Sequence, residues 1–89
     1  MSPSSDETAI EVVLPAALHA RPAGEVVRAA ARFPAVVEVR HQHRAAPARS
    51  ALKLMSLGAP AGAVVTVHAT GEDAATAAEA IAEVLRTAT

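Results

Sequence analysis

The chain has 89 residues and is 52% hydrophobic, but 24 of its residues are alanine and Phe33 is the only aromatic. A chain of this size makes one domain, buries roughly 60–65% of its unfolded surface and offers no aromatic platform on which single-stranded nucleic acid could stack. The net charge is −1 and cysteine is absent, which excludes disulfide frameworks, thiolate catalysis and Cys-ligated zinc and argues against a nucleic-acid binder.

Residues 1–7 read as a Ser/Pro/acidic tail, leaving 8–89 as the folded domain. Thr8–Leu14 alternates, with Ile10, Val12 and Leu14 on one side and Glu11 opposite, the pattern of a half-buried strand. Pro15 ends it. Ala16 to His19 reads as a loop, followed by a helix with Pro22 in its first turn, where the missing N–H has no intrahelical partner to lose. Ala23, Val26, Val27 and Ala30 form its apolar stripe, Arg28 and Arg32 its wet side, and Pro34 blocks continuation.

Ala35–Arg40 predicts a second strand, with Val37 and Val39 facing one way. His41–Ala48 carries the weakest pattern and reads as a turn plus a short third strand, with Pro47 arguing for an edge or an irregularity. Ser50 caps a short helix running to Leu57, and Gly58 stands where a left-handed C-terminal cap belongs. Gly62 opens a fourth strand, Ala63–Ala69. The Thr70-Gly71-Glu72-Asp73 turn is expected to supply an acidic first turn to a last helix, Ala74–Thr87. That helix places Ala74, Ala77, Ala78, Ile81 and Leu85 on one face. The order β-α-β-β-α-β-α points to an α+β two-layer domain, an antiparallel or mixed sheet covered by helices on one face.

Charge is segregated along the chain. Residues 19–58 hold Arg21, Arg28, Arg32, Arg40, Arg44, Arg49 and Lys53 against only Glu25 and Glu38, whereas both flanks are acidic. A basic middle between acidic ends fits an anionic ligand or an acidic protein surface. The N-terminus shows no basic n-region and no apolar h-region, and no apolar run approaches the ~20 residues of a membrane span. A soluble protein is expected, and the lack of cysteine fits a reduced cytoplasm.

The segment Leu18-His19-Ala20-Arg21-Pro22-Ala23 puts an imidazole at a helix mouth, an arginine two residues on and a proline in the first turn. Helix N-termini present unpaired N–H groups and a positive dipole end. Ala20, Arg21 and Ala23 can lend amides to a phosphate, and the Arg21 guanidinium is a further bidentate ligand. A nucleophilic nitrogen inside such an anion site can carry a phosphoryl group. His41 and His43, at i and i+2, make an adventitious zinc site at best, with no cysteine and no carboxylate partner. His68 reads as a sheet histidine, and no metal or cofactor is implied.

These residues, with Arg49-Ser50-Ala51-Leu52-Lys53-Leu54-Met55-Ser56-Leu57-Gly58 and the later Gly62, Gly71 and Asp73, closely resemble the HPr family, the histidine phosphocarriers of the bacterial sugar phosphotransferase system. The resemblance spans roughly residues 8–87. It implies an open-faced sandwich of four antiparallel strands with three helices on one face. It further implies that His19 accepts a phosphoryl group on Nδ1 from enzyme I, that Arg21 stabilises it, and that an enzyme II A component of a sugar permease receives it.

The protein would then be a carrier rather than an enzyme, and a monomer is expected because no long apolar face of the sequence remains unaccounted for. Ser50 matches the family's regulatory serine, the target of an HPr kinase in some relatives, and is at the least a helix cap. Ala51, Leu52, Met55 and Leu57 would join Ala20 and Ala23 in an apolar docking patch, rimmed by Arg28, Arg32, Arg49 and Lys53. Three departures stand out: Ala17 where the family usually has Gly, Gly24 inside the first helix, and Arg49 where Lys is common. If position 17 needs positive φ, alanine costs roughly 1 kcal/mol there. The nitrogen-related branch, the dihydroxyacetone kinase relay and a docking module acting through Ser50 are the alternative roles for the same fold.

Overall fold

A computed structural model describes residues 7–89. The order is β1 (Glu7–Val13), α1 (Ala20–Ala30), β2 (Val36–His41), β3 (Arg44–Pro47), α2 (Ala51–Ser56), β4 (Val64–Thr70) and α3 (Ala74–Arg86). The tail expected at 1–6 lies outside the described residues. Glu7, expected in that tail, is the first residue of β1 and stands opposite Thr70.

The four strands form one antiparallel sheet in the order β1-β4-β2-β3. Alternation then decides which face is covered. Val12 of β1, Val37 and Val39 of β2, and Val65, Val67 and Ala69 of β4 are buried, facing the apolar stripes of the helices. On α1 that stripe is Ala23, Val26, Ala29 and Ala30; on α3 it is Ala74, Ala77, Ala78, Ile81, Ala82 and Leu85. Alanine is the commonest buried residue, and α3, whose buried face is mostly alanine, lies directly on β1, β4 and β2, while α1 packs beside α3 and α2. The other face of the sheet stays open.

On that open face His68 bridges three strands. Its Nε2 lies 2.6 Å from Glu7 Oε2 and its Nδ1 3.2 Å from Arg40 Nη2. Because a guanidinium can only donate, Nδ1 accepts and Nε2–H donates to the carboxylate. Arg40 Nε in turn donates to Glu38 Oε1 at 2.6 Å. The sheet position expected for His68 is the one observed.

Turn chemistry follows the expected punctuation in most places. Pro47 ends β3, an edge strand where its missing N–H breaks no ladder. Gly58 follows the C-cap of α2 with φ +66°. The acidic first turn expected for α3 is not formed. Ala77 N–H makes the first helical bond, to Asp73 O at 2.8 Å, so Glu72 and Asp73 precede the helix, and Asp73 sits in the left-handed region with no side-chain capping bond. α1 ends at Ala30 with Ala31 as its cap, placing Arg32 beyond the helix, with its guanidinium 5.9 Å from the Phe33 ring centroid. No helix among the described residues is long and apolar enough to cross a membrane.

Candidate functional site

The site is assembled where the β1–α1 loop meets the loop after α2. Leu18 N–H donates to Ala59 O at 3.0 Å, while Leu14 N–H donates to Ala63 O and Gly62 N–H to Leu14 O. These three bonds lash the two loops together. Leu18 is buried and anchors the turn, and the next residue, His19, is pushed out as the exposed N-cap of α1. Ala17 does not take positive φ, so the strain that an alanine would suffer there is absent.

His19 has extended backbone, φ −98° and ψ −162°, and its ring makes no capping bond to the helix. The ring is therefore left available. The amides of Ala20 and Arg21 precede the first helical hydrogen bond and face no intrahelical acceptor. Ala23 departs from expectation: its N–H donates to His19 O at 3.0 Å, closing the first turn, and its side chain is fully buried. Two amides rather than three are available to an anion, since Pro22 has none. Arg21 is exposed, with no ion-pair partner among the described residues.

An apolar cleft of about 340 Å³ lies against His19, walled by Ala17, Leu18, Met55, Gly58, Ala59 and Pro60. Met55, 36% exposed, is the α2 side chain that reaches it, and Leu52 stands out at 75% exposed. Of the expected docking patch, Leu57, the C-cap of α2 and 5% exposed, and Ala23, on the buried stripe of α1, belong to the core instead. Ala51 is partly buried against the core and Ala20 is exposed. The walls at Ala59 and Pro60 were not among the expected residues. Their only sequence signal is a Gly-Ala-Pro-Ala-Gly run, which marks a loop but not what it pairs with.

The basic rim divides. Arg28 and Lys53 are exposed and make no ion pair among the described residues. Arg49 is also exposed, but its Nη2 donates to Phe33 O at 2.6 Å, so it braces the α1–β2 loop. Ser50 is the N-cap of α2, and its Oγ accepts from Lys53 N–H at 3.2 Å. Gln42, at φ +58°, turns the chain between His41 and His43, so the two do not share a strand face. Among the described residues no three His, Cys, Asp or Glu side chains gather where a metal could sit.

The chain matches the family model described as the PTS HPr component phosphorylation site over residues 7–87. It is 39% identical over 74 residues to the phosphocarrier protein HPr of Lysinibacillus sphaericus, covering 83% of this chain and 84% of that one. The crystal structure of HPr from Bacillus anthracis superposes with a TM-score of 0.82 at 31% identity, covering 89% of this chain and 96% of the other. Crh, the catabolite repression protein of Bacillus subtilis, whose structure is described as a dimer with a swapping domain, gives 0.74 at 38% identity over 86% and 88%. The open-faced sandwich, the exposed histidine at a helix mouth and these likenesses agree, and the chain belongs to the HPr family of phosphotransferase-system phosphocarrier proteins.

Proposed function

We propose that this chain carries a phosphoryl group on Nδ1 of His19, taken from phosphorylated enzyme I and passed to the A component of a sugar permease. The observation that carries the reading is the exposed, uncapped ring of His19 at a helix N-terminus, beside the amides of Ala20 and Arg21. In the accepting step the Nδ1 lone pair forms a bond to phosphorus as the donor's phosphorus–nitrogen bond breaks. The donor imidazole leaves with that electron pair. The helix dipole and the two amides favour the transferred oxygens, and the Arg21 guanidinium supplies charge-assisted hydrogen bonds to them.

The cleft reaching Met55 gives a partner's apolar side chain a seat against His19. Arg28 and Lys53 then meet its acidic groups, steering encounter more than adding affinity. Carriage needs no resident cofactor, and we place the protein in the cytoplasm as a monomer. Ser50 is a separate, regulatory proposal: a phosphate on it would sit at the N-terminus of α2, beside the Lys53 amide it already engages.

Intact-mass measurement after incubation with phosphoenolpyruvate and purified enzyme I tests the reading. One phosphate adduct is expected, lost after mild acid, absent from His19→Ala and formed more slowly in Arg21→Ala. An adduct that survives acid, or that persists in His19→Ala, would overturn it.

A further inference from the structure

On the far side of Gly58 and Pro60 from His19 lies a second, larger groove, about 840 Å³ and open along its length. One bank is the β2–β3 hairpin, contributing His41, Gln42 and Arg44; the other is the segment from Leu57 to Val64. Gly58 and Pro60 line both this groove and the apolar cleft beside His19, so the two depressions share a wall.

The lining carries one sign of chemistry. Its polar side chains are a guanidinium, an imidazole and a primary amide, and no carboxylate lines it. Arg40 and Arg86 are held by glutamates, whereas Arg44 is exposed and has no ion-pair partner among the described residues. The Nδ1 of His41 lies 3.4 Å from Leu57 O across the groove floor, and its Nε2 has no partner among the described residues. The opposite bank is bare: a Cβ added at Gly58 or Gly62 would meet nothing within 4 Å. A pocket for a small organic ligand encloses most of that ligand's surface, whereas this groove is open. An open basic groove continuous with a docking cleft instead fits an extended acidic stretch of polypeptide.

We infer that the groove between the β2–β3 hairpin and the segment 57–64 is a second docking strip, occupied by a carboxylate-bearing segment of the phosphoryl-donor protein. That segment runs from the His19 cleft over Gly58 and Pro60 and sets an Asp or Glu against Arg44. The inference rests on the phosphocarrier reading and extends it to residues that neither touch the phosphoryl group nor belong to α1 or α2.

The test compares Arg44→Ala, Arg44→Glu and His41→Gln with the unaltered protein, using enzyme I and phosphoenolpyruvate and reading KM separately from the saturating transfer rate. Arg86→Glu, the same charge change on α3, controls for net charge. Arg44→Glu is expected to raise KM roughly threefold to tenfold at low ionic strength, Arg44→Ala less, and both effects should shrink with added salt. The saturating rate should not move. Unchanged KM in Arg44→Glu, or an equal rise in Arg86→Glu, overturns the docking strip while leaving phosphocarriage intact. Failure of the unaltered protein to take any phosphate overturns both.

Discussion

At the scale of single residues, the His19 site depends on which backbone groups are already used. Ala20 and Arg21 keep their amides because α1 begins at Ala20; Ala23 does not, because His19 O claims its N–H. Sequence shows that amides exist at a helix mouth but not where the first turn closes, and an offset of one residue changes the count. Gly24 is the other residue whose meaning needs coordinates. It lies within α1, and a Cβ there would meet only the end of the Arg28 side chain, Nη1 at 3.6 Å, an ordinary contact with a flexible group. Its backbone is helical, so glycine offers no conformational advantage and leaves more entropy to be lost on folding. Gly24→Ala should stabilise the protein by up to about 1 kcal/mol, seen in thermal unfolding as a rise in Tm on the order of 5 °C. A fall in Tm would mean that α1 uses the glycine for something other than helix.

At the scale of elements, the strands and helices were legible because period two and period 3.6 separate cleanly here. Val37 and Val39 alternate with Glu38 and Arg40, and Ala74, Ala77, Ala78, Ile81 and Leu85 recur at helical spacing. Proline and glycine marked most ends. Long-range pairing was not legible: nothing local says that β4 lies between β1 and β2, or that Leu18 is tied to Ala59. The wall of the His19 cleft therefore leaves no local signal, and neither does the left-handed backbone of Asp73, which keeps the turn before α3 from supplying an acidic first turn. The alanine-rich packing yields a prediction about α3. Ala78 is fully buried in the layer between helices and sheet, and Ala75, three residues earlier, is exposed. Ala78→Leu must displace close-packed neighbours and should cost about 1–3 kcal/mol. Ala75→Leu should fall within about 0.5 kcal/mol of the parent. Urea unfolding midpoints at equal m-value separate the two, and equal midpoints would show that the alanine layer has room to spare.

At the scale of the whole molecule, a two-layer fold leaves one sheet face uncovered, and what that face displays bears on whether the protein stays monomeric. Val13 and Val64 stand opposite each other at one end, 62% and 51% exposed. The next row across the sheet is Glu11, Thr66 and Arg40, and beyond it His68 ties Glu7 to Arg40. Polar rows therefore separate Val13 and Val64 from Val36, which is 69% exposed at the opposite end of the face beside Thr70, keeping any single apolar patch below the size that marks an interface. The β1 edge is blunted in the same way by Glu7 and Glu11, and the β3 edge by its brevity and Pro47. Sedimentation velocity should then show a single species of 9.0 kDa. Replacing both Glu11 and Thr66 by valine would join the polar row to Val13 and Val64 in one β-branched stripe. That stripe suits strand packing, so the double variant should fold, and it should associate as concentration rises. If it sediments as a monomer at every concentration, the polar rows are not what keeps the open face single. If the unaltered protein already dimerises, as the structure of Crh is described, the open face or the β1 edge is itself an assembly surface.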